Sequence, residues 1–180
     1  MKFLALMFLF LLSLLNCAPI IPEQPIVMTN VSTYIHCQVF IDPAFPEKTI
    51  PFIKQAFLDW QDKLRVIDFQ FTIKLYDCVE EPHAICIQPA TPAQLKGRAG
   101  YTNNYGRYNA LIKLSTDNYD DPNLINWKDV TRITTTHEVG HALGLLHDSH
   151  EGTVMYWHGS RMARHLTQRD INQFFERHSK

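Results

Sequence analysis

Charge of either sign is not in excess here: 17 Lys and Arg stand against 18 Asp and Glu, a formal net charge of −1 at pH 7 over 180 residues. That balance leaves no electrostatic footprint for nucleic acid, and the basic residues near the end, Arg161, Arg164 and Arg169, read as a solvated face. No internal repeat or low-complexity tract is present, so repeat architectures are excluded. No apolar run is long enough to span a bilayer comfortably. The longest, Phe3 to Leu15, follows Met1-Lys2, is broken only by Ser13, and reads as an export signal. Cysteine is scarce, with four in the chain. If Cys17 is consumed in processing, the remaining three cannot all pair. Cys78 and Cys86, flanking a short loop with Pro82, are the expected disulfide in an oxidising compartment, and Cys37, in an apolar strand-like run, is then a buried thiol. If Cys17 is retained, a bridge to Cys37 is open as well.

What is present is concentrated in residues 137 to 147, His-Glu-Val-Gly-His-Ala-Leu-Gly-Leu-Leu-His. On a helix, His137 and His141 are one turn apart on the same face, so both imidazoles reach a common ion. Glu138 lies beside that face, where its carboxylate flanks the ion as a base for water without serving as a ligand. A third ligand further along the same helix would drift round its axis, so the helix has to stop. Gly144 supplies the stop, because glycine enters the left-handed conformation without a Cβ penalty and lets His147 return to the ion. A buried amphipathic helix with hydrogen-bonded core histidines accounts for neither the glycine nor the third histidine. A thermolysin-like alternative places His150 or a carboxylate at the third position; the remaining histidines, His158, His165 and His178, read as surface residues.

About 160 residues follow Cys17, enough for one domain with a respectable core. Residues 18–30, with Pro19, Pro22 and Pro25, read as an extended tether, and residues 31–180 as the folded domain. Val31 to Ile41 has strand composition. From Lys48 to Leu64, apolar residues recur at three and four, the face of an amphipathic helix in which Trp60 belongs to the core. Phe69 to Tyr76 alternates as a strand does. Residues 82–96 carry three prolines and read as irregular; Arg98 to Thr102 is a short segment, Asn103-Asn104-Tyr105-Gly106 a turn, and Tyr108 to Ser115 another strand. Asp117, Asp120 and Asp121, with Asn118 and Asn123, offer oxygen ligands, yet their spacing matches no calcium loop, so the segment reads as a solvated turn and calcium is unsupported. Val130 to Leu146 is the helix bearing the histidines. Thr167 with Asp170 forms a capping box that opens a last helix through Phe174 and Phe175.

With the glycine and third histidine in place, the segment resembles the metzincin clan of zinc endopeptidases. Gly152-Thr153-Val154-Met155-Tyr156, eight residues beyond His147, resembles the methionine turn of its matrixin branch. The resemblance is specific from His137 to Asp170 and holds upstream only in layout. It implies an α+β fold: a twisted, mostly parallel sheet of about five strands with one antiparallel edge strand, two long helices and a C-terminal helix. It also implies zinc held by His137, His141 and His147, Met155 packed beneath them, and hydrolysis of internal peptide bonds with Glu138 as general base. A protein or peptide substrate would lie extended along Ala99, Gly100, Tyr101 and Thr102, with Tyr156, Trp157, His158 and Met162 walling a pocket. A monomer and a single zinc are expected, since only His36 and His83 are available upstream for another ion. Three features depart from the matrixin pattern: no Pro-Arg-Cys-Gly latency motif, no room for a usual prodomain, and Asp148 where Ser is usual. Activity on export, or control from outside the chain, is therefore expected. Leu14-Leu15-Asn16-Cys17 resembles the lipobox of bacterial lipoproteins, with Asn16 in place of a small residue. That implies a lipid anchor at Cys17, the alternative being cleavage near Ala18 and release. A second class of function, a surface lipoprotein binding zinc or another ligand without turnover, is disfavoured by the retained Glu138.

Overall fold

The structure is a computed structural model, and it describes residues 34–76, 82–118, 126–159 and 162–179. The expected signal segment, the tether, Cys17, Cys78, Arg161, and Asp120, Asp121 and Asn123 of the acidic loop lie outside the described residues. Five strands form one sheet in the order β2-β1-β3-β5-β4. They are β1 (Ile35–Ile41), β2 (Ile67–Ile73), β3 (Ala84–Ala90), β4 (Gly100–Gly106) and β5 (Asn109–Ser115), and three helices pack with them: α1 (Ile50–Leu64), α2 (Trp127–Ala142) and α3 (Gln168–His178). Strands β1, β2, β3 and β5 are parallel, and β4 is the antiparallel edge. The expected α+β layout is what forms. No helix among the described residues is long and apolar enough to cross a membrane.

Helix α1 forms where the spacing places it. Ile53, Ala56, Phe57, Trp60 and Leu64 are buried on one face, proline occupies its first turn, and Arg65 ends it in the left-handed conformation at φ 57°. That face packs on the sheet, where the Phe57 and Phe69 rings meet edge to face at 5.1 Å. It also packs on α2, where Trp60 Nε1 donates to Thr136 O at 2.8 Å and Arg132 pairs with Asp59 at 3.0 Å. Helix α2 buries threonines, not only aliphatics. Their hydroxyls are satisfied by donating one turn back, Thr135 to Thr131 O and Thr136 to Arg132 O, both at 2.7 Å.

Several boundaries differ from the expectation, each for a local reason. Residues 82–96 are not irregular throughout: Ala84 to Ala90 is an interior strand, buried over Ala84, Ile85, Cys86 and Ile87. Pro89 is tolerated because pairing with β1 ends at Ile87, so Pro89 pairs only with β5, through Leu114. Asn103 to Gly106 is not the turn. Strand β4 runs through Gly106, its polar residues suiting an exposed edge, with an irregularity in pairing between Asn104 and Gly106. Arg107 and Tyr108 make the turn, Tyr108 at φ 58° with its ring buried against His178 at 5.6 Å. His178 is consequently not a surface residue; it is half-buried, stacked on Phe174 and donating from Nδ1 to Phe174 O at 2.7 Å. Helix α2 ends at Ala142, short of Leu146, because Gly144 at φ 89° closes it with a paired cap: Gly144 N–H donates to His141 O and Leu145 N–H to Gly140 O, both at 2.9 Å.

Candidate metal centre

The paired cap at Gly144 turns the chain back within three residues, and the turn determines what His147 can reach. His137, His141 and His147 come together at their Nε2 atoms, separated by 3.1, 3.1 and 3.3 Å. Their other ring nitrogens explain the orientation: His137 Nδ1 donates to Val154 O at 2.8 Å and His141 Nδ1 to Leu145 O at 2.9 Å. A carbonyl only accepts, so both protons sit on Nδ1 and the Nε2 lone pairs of these two rings face inward. Lone pairs this close repel unless a cation lies between them. A tetrahedral zinc ion with bonds of about 2.0–2.1 Å spaces its nitrogens by about 3.3 Å, so the donor set fits zinc. Burial, reinforced by the neighbouring histidines and opposed by the Val154 bond, drives His137 down to about 4, and burial also lowers His141. Neutral imidazoles are what a cation requires. Among the described residues this is the one cluster of its kind. His150 is not part of it; its Nδ1 lies 3.0 Å from Asp148 Oδ1, on an exposed side chain.

Met155 is fully buried beneath this helix. A Cβ on Gly140, between the first two histidines, would collide with Met155 Sδ and lie 3.1 Å from Trp60 Cζ2. Glycine is therefore required at 140 by close packing on the methionine. Asp170, 1% exposed, does more than cap α3: beside the reciprocal bonds with Thr167, its carboxylate accepts from Val154 N–H and Met155 N–H, each at 3.2 Å. The C-terminal helix thus fixes the methionine turn, whose Val154 carbonyl in turn fixes His137. Asp148 anchors the other end. Burial raises its carboxyl, but the Arg169 guanidinium at 2.6 Å and two donors of His150 outweigh burial and hold it below the usual range. Arg169 is thus an ion-pair partner whose side chain stays 43% exposed, and the more exposed Arg164 lies 3.9 Å from Asp129.

A cleft of about 740 Å³ opens over the histidines. Of the expected contact residues, Ala99, Gly100, Tyr101, Thr102, Trp157 and Met162 line it. Tyr156 does not: its main chain bridges to Asp148 and its side chain is buried. His158 also lies outside the lining. Glu138 is buried in the cleft wall, with Thr102 Oγ1 2.6 Å from its Oε2. Burial pushes its carboxyl up to about 7, the Thr102 hydroxyl and the Arg98 guanidinium pulling the other way. The contacts of Asp170 with the methionine turn and of Thr102 with Glu138 escape a reading of the sequence, since each joins residues far apart in the chain.

The family model described as Matrixin matches residues 111–176, which contain all three histidines and the methionine turn. In structure the chain is similar to archaemetzincin from Methanopyrus kandleri, with a TM-score of 0.59 and 12% identity over 85% of this chain and 100% of that one. The fold is that of a metzincin-like zinc peptidase. Archaemetzincin from Archaeoglobus fulgidus, solved with malonate, is similar as well, with a TM-score of 0.51 and 14% identity over 76% of this chain and 99% of that one. No curated protein matches in sequence. The antiparallel edge strand β4 and the histidine helix α2 both line the cleft.

Proposed function

We propose that the chain is an exported, zinc-dependent endopeptidase that hydrolyses internal peptide bonds. The observation that carries the reading is the convergence of three Nε2 atoms in a cleft that the buried Glu138 and an edge strand also line. His137, His141 and His147 would hold the ion. Zinc bound there supplies a Lewis acid that acidifies water and polarises a carbonyl. Glu138 takes the proton of the attacking water and returns it to the departing amine nitrogen, as a general base and then an acid. Among the described residues strand β4 is paired with β5 on one side only, so its other edge offers backbone donors and acceptors to an extended peptide. Trp157 and Met162 give an apolar wall for a substrate side chain.

Export is supported by the apolar run Phe3 to Leu15 and by the disulfide at Cys86, which suits an oxidising compartment. Cys37 is a free, buried thiol, and the Cys78 end of the expected bridge lies outside the described residues. A lipid anchor at Cys17 is part of the same proposal. The test is zinc content and cleavage of a peptide library by wild type beside Glu138→Ala. Both proteins should bind about one zinc, and the variant should lose at least about 100-fold in kcat, the contribution of a positioned base. Equal cleavage by the two would sink the mechanism, and zinc binding with no cleavage by either would make the chain a binding module. Mass spectrometry of the exported protein decides acylation of Cys17.

A further inference from the structure

Alternate residues of β4 face the histidine helix, and each meets it. Gly100 leaves a gap: a Cβ there would lie 2.7 Å from Glu138 Oε1 and 2.8 Å from its Cγ. Thr102 Oγ1 lies 2.6 Å from Glu138 Oε2 and 3.0 Å from the Glu138 main-chain oxygen. Asn104 Nδ2 donates to His141 O at 3.0 Å. A strand period of two is thus matched to one turn of α2, the turn that carries the carboxylate and the second histidine.

A glutamate side chain has several rotatable bonds, and nothing in a His-Glu-Val-Gly-His helix selects one position for its carboxylate. From this geometry we infer that Thr102 is a positioning residue for Glu138, acting with the gap at Gly100. The Thr102 hydroxyl occupies Oε2, and Gly100 lets the carboxylate lie flat against the strand, so Oε1 is the oxygen left for the proton of the attacking water. A hydroxyl has one proton to donate, and the 2.6 Å contact to a carboxylate is the short, charge-assisted one of its two. The inference rests on the endopeptidase reading and extends it: the edge strand that receives the peptide also sets the base, so substrate and base are referenced to one backbone. Threonine at 102 then has a requirement that strand propensity alone does not impose, since valine has the same shape and equal or better fitness for a strand.

The experiment compares wild type, Thr102→Val, Thr102→Ser and Gly100→Ala. Zinc affinity comes from chelator competition, kcat and KM from a cleaved peptide, and crystal structures are determined for metal-free wild type and Thr102→Val. Loss of a hydrogen bond to a charged group corresponds to a fall in kcat of about tenfold to 100-fold for Thr102→Val, with zinc affinity and KM held within about twofold. Thr102→Ser should restore most of kcat, Gly100→Ala should lower kcat with zinc affinity unchanged, and the Glu138 carboxylate should leave Gly100 in the Thr102→Val crystal. Wild-type kcat in Thr102→Val, failure of serine to restore it, or a carboxylate that stays in place would overturn the assignment. If wild type cleaves no peptide, the endopeptidase reading fails, and the two crystal structures still decide whether Thr102 holds the carboxylate.

Discussion

Replacing Asp170 with alanine should weaken zinc binding from a helix that contributes no ligand. The carboxylate is 1% exposed and accepts from Val154 N–H and Met155 N–H at 3.2 Å, from Thr167 N–H at 2.9 Å and from the Thr167 hydroxyl at 2.6 Å. Removing it leaves two buried main-chain donors unpaired, at about 1–3 kcal/mol each, and breaks a capping box worth about 1 kcal/mol. A total of about 3–7 kcal/mol is a large part of the stability of a domain this size, so urea titrations belong at low temperature, beside the milder Asp170→Asn. The methionine turn also carries the Val154 carbonyl that orients His137, and loss of such a support costs about 10- to 100-fold in metal affinity. Chelator competition on folded protein reads that term separately from stability. Asp170→Ala with wild-type zinc affinity and less than about 1 kcal/mol of destabilisation would refute the reasoning.

Two further substitutions probe other parts of the account. Gly140→Ala gains about 1 kcal/mol of helix propensity but forces a methyl group onto Met155 and Trp60, at about 1–3 kcal/mol; a protein no more stable than wild type, with weakened zinc binding, is expected from melting and competition measurements, and a stabilised variant with full affinity would contradict the packing. Burial, with a smaller contribution from Asp68, pushes the Cys37 thiol up to about 12, so the native protein should react with a thiol reagent at pH 9 only as fast as it unfolds. The raised value also fixes a sign. Stability from Cys37 is fully present below about pH 8.5, where the unfolded thiol begins to ionise, and declines as pH rises toward 12; urea titrations at increasing pH should lose that slope in Cys37→Ala.

The histidine cluster was legible because His137, His141 and His147, with Glu138 and Gly144, occupy one continuous segment, where residue type and spacing speak directly. Helix α1 was legible for a similar reason, since Ile53, Phe57, Trp60 and Leu64 keep a helical period. Strand β3 was hidden by Pro89, whose consequence depends on where β1 stops pairing. Strand β4 was legible only over its first residues, Gly100 to Thr102; the polarity of Asn103 to Gly106 resembles a turn, although Asn104 belongs to the strand and meets the His141 carbonyl. The supports of the site were out of reach for a different reason: the bonds from Val154 and Met155 to Asp170 and from Arg169 to Asp148 join segments that only the fold brings together.

X-ray absorption at the zinc edge tests the central claim most directly, because it counts the ligands around the ion in solution. The account predicts three imidazole nitrogens and one oxygen at about 2.0–2.1 Å, falling to two imidazoles in His147→Ala. A carboxylate or sulfur in place of the third imidazole, or three imidazoles retained in His147→Ala, would contradict it.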